Sequence, residues 1–165
     1  MALSGRGALN KGKDGEREVA KSLNAVLQKV LQQQQWPPEI VGRCAKYIQR
    51  NQNQTAVGGC DLTNVFGLAV EVKRQEVLAI EEWWRQTITS ATDNREIPVL
   101  VYRQNNKKWR VVMYLQNPLP VVKDDPRVAP YASVTVRAEQ SWDDFLEWFE
   151  QWVARKLFSG EVPIG

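Results

Sequence analysis

The stretch CDLTNVFGLAVEVK, residues 60–73, decides how the chain reads. Cys60–Val65 and Leu68–Lys73 are two strand-like runs around a turn at Phe66-Gly67, the pattern of a hairpin. Antiparallel pairing across such a turn would bring Asp61 at one end beside Glu71-Val72-Lys73 at the other. Alternate residues of a strand share a face, so Glu71 and Lys73 project together while Val72 enters the core. Leu68-Ala69-Val70 leads into these charges as a buried strand would, and charges at the end of a buried strand need partners. One such partner is Mg²⁺, which favours carboxylate oxygens and makes Asp61 and Glu71 candidate ligands. That ion stabilises charge on a phosphodiester, and Lys73 would orient an attacking water or stabilise the developing negative charge. A plain Glu71–Lys73 ion pair, with Asp61 merely in a turn, fits the same spacing.

Outward from this stretch, the chain alternates helices and strands. Residues 1–13 are small, glycine-bearing and basic, and read as a mobile arm carrying Arg6, Lys11 and Lys13. Asp14 then opens a helix in which Val19, Leu23, Val26, Leu27, Val30 and Leu31 recur at helical spacing. Trp36-Pro37-Pro38 stops it. Residues 39–50 suit a short helix followed by a strand, and Asn51–Gly59 is a loop by composition. Ile80–Asp93 is a helix whose Trp83, Trp84 and Ile88 could be core or interface. Ile97–Arg103 and Trp109–Leu115 are strands around a polar turn. Pro118, Pro120, Pro126 and Pro130 mark an irregular stretch before a strand at Ala132–Arg137. Ser141 caps a final helix with a broad aromatic face, which reads as packing against the same domain ahead of a partner or dimer surface. The order implies an α/β fold with a mixed central sheet flanked by helices, not a doubly wound parallel sheet. Its divisions are an arm at 1–13, a core at 14–116 and a carboxy-terminal extension at 117–165.

Composition narrows the chemistry. The 165 residues include 22 basic and 19 acidic groups, for a net charge of +3, and no histidine. A Ser-His-Asp or Cys-His nucleophile system is therefore excluded, as is a metal site that needs imidazole. Cys44 and Cys60 are too few for a structural four-ligand zinc site without carboxylates, and are expected to be reduced. Catalysis would fall to carboxylates, lysine, arginine, serine or threonine. The charge is uneven: residues 1–50 carry +5, 51–115 carry +1, and 116–165 carry −3. A basic amino-terminal third suits a phosphate-rich partner, although a solvated surface accounts for it as well. Without an apolar leader or a membrane-length run, the protein is expected to be soluble and cytoplasmic.

Lys11-Gly12-x-x-Gly15-Glu16-Arg17-Glu18, Asp61-Leu62 and Glu71-Val72-Lys73 together resemble the archaeal-type Holliday-junction resolvases. Ile97-Pro98-Val99-Leu100 and Trp109-Arg110 extend the likeness over residues 11–115. Those enzymes belong to the PD-(D/E)xK nuclease superfamily. The resemblance implies a restriction-endonuclease-like core and Mg²⁺-dependent phosphodiester hydrolysis, with Mn²⁺ as a substitute. Taken alone, Glu16 and Glu18 are first-turn acids that suit a helix dipole. The resemblance adds Glu16, Asp61, Glu71 and Lys73 as active-site residues, with the Val72 carbonyl as a further metal ligand. It likewise implies phosphate contacts at Arg17, Arg50 and Arg103, alongside Arg6, Lys11 and Lys13 of the basic segment. Phage-encoded relatives exist, and a carboxy-terminal extension suits one, which would place the protein in the host cytoplasm.

The family's Ser-Gly-Ser-like loop is replaced here by Thr55–Cys60, so no serine role carries over. The function implied is cleavage of branched DNA by a homodimer, with no membrane and no small-molecule cofactor. The same core chemistry on linear ends or mismatches is one alternative. A non-catalytic DNA-binding module is another, although Asp61, Glu71 and Lys73 are all intact.

Overall fold

Helix α1 runs Gly5–Gln33 in the computed structural model, which describes residues 5–52, 59–118 and 133–163. Its stripe Val19, Leu23, Leu27, Val30 and Leu31 is at most 1% exposed, as apolar residues at a 3.6-residue period require. The helix begins at Gly5 and not at Asp14, so residues 5–13, read as a mobile arm, are its first turns. Gly5, Gly7, Gly12 and Gly15 disguise them, because glycine costs a helix interior about 1 kcal/mol relative to alanine. At Gly15 there is a packing reason for the residue: a Cβ would lie 3.2 Å from Trp109 Cη2 and 3.6 Å from Arg74 Cβ. Here α1 rests directly on the sheet.

Pro38 opens the short helix α2 (Pro38–Arg43), and a 3₁₀ turn at Cys44–Lys46 leads to β1 (Gln49–Arg50). Proline suits a first helical position, where its missing N–H has no helical partner to lose. Asn24, buried on α1, fastens this segment. Its amide donates to the Ile48 carbonyl at 2.9 Å and accepts from the Ile48 N–H at 2.8 Å.

β2 (Leu62–Thr63) pairs antiparallel with β1, Gln49 opposite Thr63 and Arg50 opposite Leu62. It is not paired with β3 (Leu68–Arg74), which corrects the expected hairpin. Asn64, Phe66 and Gly67 all adopt left-handed conformations, with φ of 64°, 54° and 79°. A two-residue hairpin turn would take adjacent central residues and lead straight into a ladder; this bend turns the chain out of register instead.

The main sheet has the order β3-β4-β5-β6, with β4 at Ile97–Arg103, β5 at Arg110–Pro118 and β6 at Ser133–Ser141. β3 and β4 are parallel, from Leu68 opposite Ile97 to Arg74 opposite Arg103. Parallel neighbours need a crossover, supplied by α3 (Ile80–Asn94). Arg95 ends that helix in the left-handed conformation (φ 57°), and the Glu96 N–H closes on the Ala91 carbonyl at 2.8 Å. β5 pairs antiparallel with both β4 and β6. The sheet is therefore mixed and flanked by helices, as the element order implied.

Strand alternation divides the core between two faces. Val70, Val72, Val99, Val101, Val111 and Met113 join α1 and α4 (Trp142–Phe158). Leu100, Tyr102 and Val112 meet Trp83 and Trp84 of α3, so both tryptophans are core. Ser141 caps α4 as expected, its Oγ accepting from the Asp144 N–H at 3.1 Å. Phe145, Phe149 and Val153 of α4 are wholly buried, each contributing about 1.5–3 kcal/mol. Lys29 of α1 bonds Glu150 of α4 at 2.6 Å across the same contact.

The boundary expected after residue 116 falls inside β5, and β6 and α4 complete the same sheet and core. Pro120, Pro126 and Pro130 lie outside the described residues. No helix among the described residues is long and apolar enough to cross a membrane.

Candidate active site

β3 is an edge strand of the main sheet, so one row of its backbone groups faces away from β4. In that row, the Val72 N–H donates to Asp61 Oδ2 at 2.7 Å. The Asn51 N–H donates to the Asp61 carbonyl at 2.8 Å from the other side. Asp61 and the end of β3 thus do meet, through a side-chain-to-backbone bond in place of a strand ladder. The N–H and C=O of a strand residue point the same way, so the Val72 carbonyl also faces this edge.

Glu71 and Lys73 share a face of β3, and Lys73 Nζ bonds Glu71 Oε1 at 2.7 Å. Glu71 and Asp61 are each only 6% exposed. Glu16, half-buried on α1, accepts from Arg50 Nε. Asn24 lies two turns further along α1 and holds the segment that ends in Arg50, which keeps this pair in place.

Burial pushes Glu71 above the ordinary carboxylate range, the Asp61 charge pushes it further, and Lys73 offsets part of the rise. Glu16 is raised for like reasons: burial first, then the opposed effects of Arg50 and Asp61. Burial alone would lower Lys73. The hydrogen bond to Glu71 and the fields of Glu71, Asp61 and Glu16 outweigh it and raise the lysine, which is therefore an ammonium at neutral pH and a charge donor, not a base. Cys60, beside this group, is pushed up to about 12 by burial and then by the neighbouring acids. Its thiol stays protonated and is no nucleophile.

Glu16, Asp61, Val72 and Lys73 line one cleft of about 380 Å³, with Glu71 behind them bonded to Lys73. The four residues expected to be catalytic are thus brought together from α1, the end of β1–β2 and β3. The expected DNA-binding residues divide. Lys11 lines the same cleft. Lys13 and Arg17 are exposed on α1, Arg17 paired with Asp14 at 2.9 Å, and Arg6 falls in the first turn of that helix. Arg50 enters the site as the partner of Glu16.

Arg103 does not line the cleft. It grips Glu18 with two bonds of 3.0 and 2.7 Å and lies over the Trp109 ring at 4.3 Å. Trp109 Nε1 donates to the same Glu18 at 2.9 Å. This trio staples α1 to the sheet, a contact no local sequence pattern announces. Arg74 and Asn105, which also line the cleft, went unread. Strand parity places Arg74 on the face opposite Lys73, where a core residue would be sought.

Among the described residues, no three His, Cys, Asp or Glu side chains form a ready cage for a metal ion. The donor chemistry still suits a hard divalent cation. Asp61 and Glu71 are buried carboxylates whose charges oppose one another, and a cation taking oxygen ligands would relieve that opposition.

No curated protein and no solved structure matches the chain. Residues 7–157 match the family model described as phage putative PDDEXK endonuclease. The span contains the whole cleft and both faces of the sheet. It includes Asp61 and the run Glu71-Val72-Lys73. A match of this extent makes the chain a member of the phage PDDEXK endonuclease family.

Proposed function

We propose that this nuclease is a structure-selective endonuclease that resolves four-way DNA junctions as a homodimer, with Mg²⁺ or Mn²⁺ as its cation. The observation that carries the chemistry is the convergence of Asp61, Glu16 and the Glu71-held Lys73 on one cleft. In the hydrolysis a water oxygen attacks phosphorus and the P–O3′ bond breaks, leaving a 5′-phosphate and a 3′-hydroxyl. Lys73 keeps one ammonium proton on Glu71 and presents the others to a phosphodiester oxygen as its charge grows. Glu71 fixes that lysine, and Arg50 holds Glu16 at the cleft wall. Asp61, Glu71, Glu16 and the Val72 carbonyl would hold the cation, which when bound neutralises charge on the phosphodiester. Arg6, Lys11, Lys13 and Arg17, all on α1, would engage backbone phosphates, giving salt-sensitive affinity with little base readout.

The junction preference is supported by the resemblance of the Lys11–Glu18, Asp61 and Glu71–Lys73 segments to junction resolvases. A two-fold dimer would set two clefts against a substrate that itself has approximate two-fold symmetry. The test uses a labelled four-way junction and a linear duplex of the same sequence, with Mg²⁺, Mn²⁺ or EDTA. Paired nicking of the junction alone, absent in EDTA and abolished by Asp61→Asn, is the expected result. Equal cutting of the linear duplex would leave a nuclease without the resolvase preference, and binding without cleavage in either metal would overturn the catalytic reading. Light scattering of the unliganded protein at micromolar concentration is expected to give the dimer mass.

A further inference from the structure

Among the described residues, Arg74 is the arginine that is drawn inward without a carboxylate partner. Among the described residues four arginines are half-buried: Arg50, Arg74, Arg103 and Arg110. Three of them hold carboxylates, Arg50 on Glu16, Arg103 on Glu18 and Arg110 on Glu139. Arg74 forms no hydrogen bond or ion pair with a described residue; its Nε, like that of Arg103, is buried with nothing to receive its proton, but Arg103 has both Nη groups on Glu18. Three acids line the same cleft, Glu16, Asp61 and Glu76, yet Glu16 is taken by Arg50, Asp61 accepts from the Val72 N–H, and Glu76 is exposed. A buried, unpaired donor on a charged group is expensive to keep. Of these four described arginines, three are paired with acids and this one lines a cleft.

Its surroundings are those of an anion seat. Lys11 reaches the cleft from α1, half-buried and without an ion pair among the described residues. Asn105, in the turn between β4 and β5, lines the cleft with its Oδ1 buried and unpartnered. A half-turn of that amide offers its NH₂ to the same space. Lys73 and Arg74 are consecutive in β3, so they leave the strand on opposite faces, yet both line the cleft, which wraps around the strand's end. Two cations thus diverge from neighbouring backbone positions, and a planar guanidinium matches phosphate oxygens in a bidentate fork. Phosphates recur every ~3.4 Å of axis along one DNA strand, so a backbone seated at Lys73 brings another phosphate close by.

We propose that Arg74, with Lys11 and Asn105, forms a second phosphate seat that grips the nucleic-acid backbone beside the phosphodiester engaged by Lys73. The proposal rests on the nuclease reading of the same cleft. Arg74 is then a positioning residue, setting which phosphate of the strand lies at Lys73.

The experiment uses the full chain carrying Asp61→Asn as the parent, and measures binding of a fluorescent DNA duplex across a series of salt concentrations. Adding Arg74→Met is expected to weaken binding about tenfold or more, the value of a hydrogen bond to a charged group. It should also reduce the slope of log K against log salt by about 1. Arg74→Lys should restore the slope while leaving affinity below the parent's. The melting temperature of Arg74→Met should equal or exceed the parent's, because no internal bond is lost. Unchanged affinity and slope in Arg74→Met would overturn the seat and leave the nuclease reading standing. Weakened binding accompanied by a lower melting temperature would assign Arg74 to the fold and also overturn it. A parent with no salt-dependent DNA binding would overturn both readings together.

Discussion

Asp61 is buried at 6% exposure, and its charge raises the carboxyls of both Glu16 and Glu71. Glu16 and Glu71 both titrate above the ordinary carboxylate value in the folded protein. Between that ordinary value and the raised ones, the folded protein binds more protons than the unfolded chain. Their contribution to stability is thus present at low pH and lost as pH rises through the raised values. Asp61→Asn removes a charge that both acids feel and keeps an oxygen to accept from the Val72 N–H. The variant is expected to melt a few degrees above the parent at neutral pH while losing cleavage, the trade between stability and activity common at such sites. The gain should shrink at a pH below the ordinary carboxylate range. Thermal melts at the two pH values check this, and an unchanged or lower melting temperature at neutral pH would refute the repulsion.

Helix α1 offers a contrast at the level of the element. A Cβ at Gly12 would meet nothing within 4 Å, whereas one at Gly15 would press on Trp109, whose indole is tied to Glu18. Gly12→Ala is expected to stabilise the protein by about 1 kcal/mol, the helix-propensity difference. Gly15→Ala should forfeit that gain and lower the melting temperature, because the tied ring cannot easily give way. Chemical denaturation of the two variants side by side tests the pair. The same helix shows what periodicity can and cannot reveal. Val19 to Leu31 repeat at helical spacing and were legible, as were β4, α3 and the capped, aromatic α4. The glycine-bearing first turns have no such repeat, and β1 and β2 are two residues each, too short to carry a period. Their pairing is decided by Asn24 and by the left-handed bend at Asn64–Gly67, neither of which strand propensity registers.

For the molecule as a whole, the chemical part of the site was readable because acid and acid-x-lysine lie in one short stretch. The rest depends on contacts between distant segments. Arg103 was expected on phosphate and is spent on Glu18; Arg74, which strand parity sets on the core-facing side and which was not singled out, lines the cleft. The carboxy-terminal segment, expected as an extension, supplies an edge strand and the helix that covers α1. A chain ended at residue 116 would lose Phe145, Phe149, Val153 and Leu157 from the core. Since Phe→Ala in a core alone costs about 3–5 kcal/mol, the truncated chain is expected to be unfolded. A circular-dichroism melt without a cooperative transition, together with rapid proteolysis, would show it. The packing of α4 on α1 also has a meaning in time. A ribosome releases α1 before α4, and until α4 emerges the stripe from Val19 to Leu31 lacks the phenylalanines that seal it. Because α1 carries Lys11 and Glu16 to the cleft, the cleft is expected to be complete only once α4 has been made and has packed on that helix.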